Sequence, residues 1–561
     1  MKTDNTSLSP DIQLLVETSW EVCNKIGGIY TVLSTKAKIL QEKFGPKLVF
    51  IGPDVCEISK SNCDFREDPT IFDGFSSKVE IPEGITVRSG YWDIPGRPQV
   101  ILIKFNSLYS RLDDIFGLMW EKFGVESLHE YGDYRESCAF SIAVAIVIEK
   151  LISHLKIHKC STIAHFNEWT TGMGLLYLRL IMPECASIFT THATSIGRSI
   201  CGNNKPLYDY FEGYNGDQMA QELNMEAKHS LEKKAAHFAD CFTAVSEVTA
   251  KECQQLLEKR PEVVTPNGFE PDFVPTSSIY KKLREEGRNR ILKIASLLKK
   301  REFDKDTFII ATSGRNEYRN KGLDLFLDIN RFLDRKSLPK QIISLVLVPA
   351  WVKDENEKLL RSLETGRDLI ELPLSQTHNL NNEETDSIAC RIRELHSRLE
   401  IDREVNIIYV PCYLDGNDGI INISYYDLLP ALDMTVFPSY YEPWGYTPLE
   451  SIAFAVPTVT TDKSGFGQWI LSNYKNTFED CGVSVVERTD SNYDQVVATA
   501  AERIENYIKT DSQTKKKVRE KAIATSAKAD WKYFFKAYEK AFEIASIKRD
   551  NRLKTEREEN N

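Results

Sequence analysis

The twelve cysteines of this chain form no C-x-x-C pair and no cluster, which argues against a disulfide framework. Those that can be read in context, such as Cys23, Cys138, Cys201 and Cys412, sit in apolar stretches, as thiols do in a reducing compartment. No apolar run reaches membrane-spanning length. CAFSIAVAIVI (138–148) comes closest and reads as a buried helix. The start, MKTDNTSLSP, lacks the apolar core of a secretion signal. Basic excess is also missing: the net charge is -11 and no basic stripe is present, which excludes nucleic acid as the main partner. There is no internal repeat and no low-complexity block. The expectation is a cytoplasmic chain that does not span a membrane. Its 561 residues, 42% hydrophobic, leave room for two or three domains.

Apolar strand-like runs alternate with helical patterns along the whole sequence. The first series comprises 14–19, 47–53, 99–105, 161–166, 186–192, 241–246 and 263–268, with helices expected at 134–156 and 217–238. The second comprises 307–314, 343–350, 405–411, 434–439, 457–461 and 483–487. Such alternation predicts an α/β protein with two doubly wound parallel sheets, ligands lying at the carboxyl ends of the strands. The expected division is 1–275, then 276–535 with a charged helical insertion at 353–403. Residues 536–561 follow, as a helix crossing back to the first domain and a disordered tail. Residues 72–97 read as an insertion in the first sheet.

The densest chemistry lies in FPSYYEPWGYTPLESIAFAVPTVTTDKSGFG, 437–467. A buried strand runs into a Pro/Gly-rich turn that carries Glu442. A helix follows, with Thr447 expected as its cap, Pro448 at its first position and Glu450 in its first turn. The backbone N–H groups of Gly445, Tyr446 and Thr447 are then placed for an anion. In ETSWEVCNKIGGIYTVLSTKA (17–37), paired Gly27 and Gly28 precede a helix and let backbone approach a ligand, with Lys25 beside them. In SGRNEYRNKG (313–322), Arg315 and Lys321 lie just past a strand, as cations suited to a phosphate leaving group. His192 ends another strand, in TTHATSIGR, with Arg198 six residues on. Asp304-Lys-Asp306 imitates a metal motif but precedes its strand, at the wrong end of the sheet.

These strings, in this order, resemble eukaryotic-type (family 3) glycogen synthases over roughly residues 12–545. The resemblance implies the GT-B fold, two Rossmann-like domains with the active site in the interdomain cleft. It implies retaining transfer of glucose from UDP-glucose to the non-reducing end of an α-1,4-glucan, without metal or other cofactor. The residues that match the family's catalytic positions are Glu442, His192, Arg315 and Lys321. Those that match donor-binding positions are Lys25, Gly27, Gly28, Arg198, Asn267, Tyr425 (a match to the tyrosine that stacks on uracil), Gly445, Tyr446, Thr447 and Glu450, the last placed on donor hydroxyls. Homo-oligomers are compatible with the resemblance.

The charge of Arg315 and Lys321 would stabilise the departing diphosphate, while Glu442 and His192 would face a cation-like glucosyl ring. Front-face substitution and double displacement both remain open. Three alternatives stand beside this reading: a related transferase using ADP-glucose or a short-sugar acceptor, a UDP-sugar 2-epimerase-like isomerase, which the glucan-synthase strings disfavour, and a non-catalytic glucan-binding protein, which would be expected to lose some of Glu442, Arg315 and Lys321, all present here. The chain also departs from the animal and fungal pattern. Asn167 stands where that pattern has histidine, and Asn cannot titrate, so it receives no acid/base role. The phosphorylated tails are nearly absent. The arginine-rich regulatory helix corresponds to 514–533 and keeps only Lys515, Arg519 and Lys521 at the expected offsets. These departures suggest an unregulated bacterial relative.

Overall fold

A computed structural model of the chain describes residues 11–55, 64–396 and 404–559. Residues 1–10 and the end of the expected insertion, 397–403, lie outside them. The chain divides into two compact units. The first is Met1–Ile200, Tyr210–Gly268 and Trp531–Asn561; the second is Cys201–Asp209 and Phe269–Asp530.

Among the described residues, the first unit is built on nine strands: β1 Leu14–Thr18, β2 Leu48–Pro53, β3 Phe65–Glu67, β4 Thr86–Trp92, β5 Gln99–Lys104, β6 Thr162–Asn167, β7 Ala186–Thr191, β8 Cys241–Ala244 and β9 Val263–Val264. Their order is β3-β4-β5-β2-β1-β6-β7-β8-β9. The pairs from β5 to β9 are parallel, while β3 and β4 form an antiparallel edge, β4 inside the expected 72–97 insertion and β3 before it. The strand order reverses at β1, so the switch point lies between the carboxyl ends of β1 and β6. Strands β1, β2, β6, β7 and β8 are buried throughout, as a sheet covered on both faces requires. The apolar run at 138–148 lies in helix Tyr134–Leu155 and is core. It is long and apolar enough to cross a membrane, but 72% of its apolar window is buried inside the protein. Helix Gly172–Ile181 packs on it so closely that a Cβ at Gly174 would fall 2.1 Å from the Ser141 carbonyl oxygen.

The second unit contains β10 Phe308–Ser313, β11 Ile342–Leu347, β12 Val352–Glu355, β13 His378–Leu380, β14 Val405–Val410, β15 Met434–Phe437, β16 Thr458–Thr461 and β17 Val483–Val486. Six of them form a parallel sheet ordered β14-β11-β10-β15-β16-β17, with the switch point between β10 and β15. The described part of the 353–403 insertion holds helices Glu357–Thr365 and Ser387–His396. It also carries a two-stranded antiparallel ribbon, β12 with β13, that the charged sequence concealed.

Four local expectations differ from the structure. The helix of 217–238 is two helices, Gly216–Glu222 and Glu226–Phe238. The helix after Glu442 begins at Tyr446 behind Gly445, whose φ of 103° suits only glycine, so Thr447 is not the cap. Pro448 is tolerated at its third position because first-turn N–H groups need no helical partner. The chain leaves the first unit at Gly268 and re-enters it at Trp531, earlier than expected in both places. The Trp531 indole is buried in that unit, donates to Thr35 Oγ1 at 2.9 Å and packs on Gly268. Finally, the tail expected to be disordered is helix as far as Glu559. Lys548 pairs with Glu262 at 2.6 Å, Arg552 pairs with Asp240 at 3.1 Å, and Arg549 donates to the Cys160 carbonyl, fixing it to β8 and its surroundings.

Candidate active site

In the second unit, the carboxyl ends of β10 and β15 bring the two motifs of that half together. The loop after β10 is held by its own backbone to the turn that carries Glu442, first acid of the Glu442-x7-Glu450 pair (the E-x7-E turn): the Asn320 carbonyl accepts from Tyr440 N (2.9 Å) and Tyr441 N (3.0 Å). This sets Lys321 Nζ 2.5 Å from Glu442 Oε2, with both side chains about one-sixth exposed. Arg315 points outward, half exposed, and pairs with Glu317 at 2.8 Å. The SGFG string closes on the same turn. Glu442 bridges to Ser464, Gly465 N donates to the Glu442 carbonyl, and Phe466 N donates to the Trp444 carbonyl. Ser464 then caps helix Gly465–Asn473 through Gly467 N. Glu450 is buried and accepts from Tyr426 O–H at 2.8 Å. Tyr425 O–H lies 2.9 Å from Ser313 Oγ, at the end of β10. No side chain caps helix Tyr446–Ala453.

The first unit assembles the others differently from the expectation. At the start of helix Gly28–Phe44, Glu21 Oε2 accepts from both Gly27 N and Tyr30 N at 2.8 Å. A side-chain carboxylate therefore occupies the anion position expected to face a ligand. Lys25 and Gly28 are exposed, and the Lys25 ammonium lies 5.6 Å from the Tyr30 ring centroid. His192 is buried at the end of β7, its Nε2 3.1 Å from Asn167 Oδ1. Burial, helped by the charge of Lys36, holds the His192 imidazole down to about 3, so it is neutral at pH 7. Arg198, in helix Ser195–Gly202, is exposed and its charge acts on Glu168. Asn267 is buried with its Oδ1 unpaired.

Sequence reasoning missed the polar core beneath His192. Glu17, Lys36 and His165 are fully buried. Lys36 Nζ reaches the two Glu17 oxygens at 3.0 and 3.1 Å, and His165 Nδ1 lies 3.1 Å from Oε1. Burial alone would raise the Glu17 carboxyl, but the charges of His165 and Lys36 hold it down at about 2. Beside this, Glu168 adopts a left-handed φ of 74°, a conformation that costs a non-glycine residue energy and accumulates at functional sites. Desolvation raises its carboxyl and that of Glu232, which lies beneath it and accepts from Ser195 N at 2.8 Å.

A second cationic cluster lies in the second unit. A cavity of ≈ 370 Å³ is lined by Arg284, Arg288, Lys305, Lys340, Lys515 and Arg519 around Asp433. Arg284 and Arg288 each approach Asp433 at 2.8 Å and Arg519 at 3.3 Å; their charge overrides burial and lowers its carboxyl. The 514–533 segment supplies only Lys515 and Arg519 to this cluster; Arg284 and Arg288 come from helix Ser277–Lys299. Asp306 pairs with Lys340 at 2.7 Å, away from the E-x7-E turn. Among the described residues, His378, Cys412 and Asp418 place ligand-type atoms within 4.8 Å of one another. The His378 ring is already engaged by Thr377 Oγ1 and the Asp418 carbonyl, and the Asp418 carboxylate by the backbone of Ile420–Asn422.

Two doubly wound parallel units, with an E-x7-E turn and its cations at the switch point of the second, define a glycosyltransferase of the GT-B fold. The catalytic domain of starch synthase IV from Arabidopsis thaliana shares that fold, with a TM-score of 0.58 at 17% identity, over 96% of this chain and 100% of that one. The family model described as glycogen synthase matches residues 17–369 and 351–560, and the chain belongs to that family. It is 26% identical to the glycogen [starch] synthase of Neurospora crassa, over 95% of this chain and 83% of the relative. It is 28% identical to the liver glycogen [starch] synthase of Mus musculus, over 94% of this chain and 82% of the relative.

Proposed function

We propose that this enzyme transfers glucose from UDP-glucose to the 4-hydroxyl at the non-reducing end of an α-1,4-glucan, with retention of configuration and without a metal. The observation that carries the reading is the Lys321–Glu442 pair, 2.5 Å apart at the E-x7-E turn with Glu450 one helical turn on. A cation suited to a departing diphosphate beside a carboxylate suited to an electron-poor ring supports that reading. Arg315, exposed and close in sequence, adds a second cation. When donor enters, Lys321 exchanges the carboxylate for phosphate oxygens, and Glu442 becomes available to the sugar. Tyr425 offers a ring face to the base, and Glu450 accepts donor hydroxyls, Tyr426 fixing its carboxylate. In the first unit His192 acts as a neutral, oriented group, since its imidazole does not charge near pH 7. Lys25, Gly27, Gly28, Arg198 and Asn267 complete the proposed donor contacts, Gly27 by close backbone approach rather than through its N–H, which Glu21 holds.

The free cysteines among the described residues fit a reducing cytoplasm. The test is incorporation of label from UDP-[14C]glucose or ADP-[14C]glucose into glycogen, with and without EDTA. UDP-glucose is expected to be the better donor, and its rate to survive EDTA. A strong ADP-glucose preference would refute the donor assignment, and loss in EDTA restored by Mn²⁺ would refute the metal-free mechanism.

A further inference from the structure

We infer that Asn167 is a positioning residue that fixes the orientation and the tautomer of His192, anchored on the buried Glu17. The inference rests on the role proposed above for His192. Asn167 ends β6 and is 1% exposed. Its Nδ2 donates to the Thr18 carbonyl at 3.1 Å and to Glu17 Oε2 at 3.3 Å. A flipped amide would set Oδ1 against a carboxylate and a carbonyl, three acceptors with no proton between them. The amide therefore has one orientation, and Oδ1 faces His192 Nε2 at 3.1 Å. An acceptor at that distance places the imidazole proton on Nε2 and leaves the lone pair on Nδ1.

The anchor does not titrate near neutral pH. Glu17 on β1 is held ionised by Lys36, from helix Gly28–Phe44, and by His165 on β6. Tyr538, from helix Trp531–Glu559, closes the far side of this group, its ring 4.5 Å from the Lys36 ammonium. Arg198 and Glu168 are the remaining charged groups near His192. Histidine, the family residue at 167, would not be equivalent here. Its ring accepts or donates toward Nε2 depending on protonation, and the Glu17 carboxylate favours the imidazolium. Donation from 167 would shift the His192 proton to Nδ1. Asparagine removes that titration, so this chain keeps one His192 tautomer at every working pH.

The experiment uses the full chain and the variants Asn167→Ala, Asn167→His and His192→Ala. It measures kcat and KM for UDP-glucose across about pH 5.5–8.5, with UDP affinity by calorimetry. Asn167→Ala is expected to lower kcat about a hundredfold, the cost of a catalytic group displaced by about 1 Å. KM and UDP affinity should stay within about threefold, because Asn167 is assigned no donor contact. Asn167→His is expected to recover most of the rate at the alkaline end and to gain an acid limb absent from the wild type. Near-normal kcat in Asn167→Ala, with His192→Ala inactive, would overturn the clamp and leave the proposed function standing. Near-normal kcat in His192→Ala would overturn both the clamp and the assigned role of His192. If Asn167→Ala melts early, Asn167→His decides: a folded variant with an unchanged pH profile refutes the inference.

Discussion

Replacing Lys36 by methionine should destabilise the first unit severely while leaving the second intact. Methionine matches the length of the lysine stem and keeps its packing against Tyr538, so the change is chiefly one of charge. The pair is fully buried, and Glu17 accepts two bonds from Lys36, one from His165 and one from Asn167. Without Lys36 the Glu17 carboxylate remains in the core with only the His165 imidazole and the Asn167 amide as partners. Removing one partner of a buried pair costs about 3–5 kcal/mol. At about 2–3 °C per kcal/mol for a unit this large, the loss is about 6–15 °C in Tm.

The variant should also acquire a pH dependence of definite sign. The wild-type Glu17 is depressed to about 2, so its contribution is complete above its unfolded value and is lost only as pH falls toward 2. In Lys36→Met the folded carboxyl is raised instead, so the protein binds a proton on folding. Its stability is then greatest at low pH and falls as pH rises. Thermal scans of wild type, Lys36→Met and Lys36→Met/Glu17→Gln, at about pH 5.5 and 8, check this. The double variant should recover much of the loss, because no charge is left unpaired. An unchanged Tm in the single variant, or equal loss at both pH values, would refute the reasoning.

Three further outcomes follow from the geometry. Arg315→Ala and Lys321→Ala should each lower kcat a hundredfold or more, about 3 kcal/mol. The exposed Arg315 should do so without lowering Tm, and near-normal rates in both variants would reduce them to surface cations. Glu442→Gln should depress kcat more than UDP affinity and Glu450→Gln the reverse, measured by steady-state rates and calorimetry; indistinguishable phenotypes would defeat that division of labour. Glucose-6-phosphate, titrated at sub-saturating UDP-glucose, should activate less than tenfold, because Arg284, Arg288 and Arg519 are already spent on Asp433. Larger activation, abolished by replacing Arg519 and Lys521, would show the cluster working as a switch.

The parallel strands were legible because strands covered on both faces are written as continuous apolar runs, such as KLVFIGP and QVILIKF. The ribbon β12–β13 was not, since VKDE and HNL carry no such run. The helical tail was missed for a related reason. Lys548, Arg549 and Arg552 look like solvated charge, yet each is met by a group far back in the sequence, Glu262, Cys160 or Asp240. The E-x7-E turn and the Arg315–Lys321 loop could be read because each is contiguous. Glu17, Lys36 and His165 could not: Lys36 sits in a TKAKIL stretch typical of an exposed helix face, and His165 is 148 residues from its partner. The only hint was an acid inside the apolar run LLVET, where a buried charge demands a counter-ion.

The return of the chain at Trp531 bears on how the molecule is made. The helix that closes over Lys36 in the first unit follows the whole of Phe269–Asp530 in the sequence and so is synthesised after it. Until then that unit, though begun first, stands with β7 and β8 uncovered on the side the helix will occupy. Nearly all of the second unit, Phe269–Asp530, has been synthesised by that time. The usual amino-terminal-first order of domain completion is therefore inverted, and a chain stalled shortly before Trp531 would hold a finished second unit beside an unfinished first one.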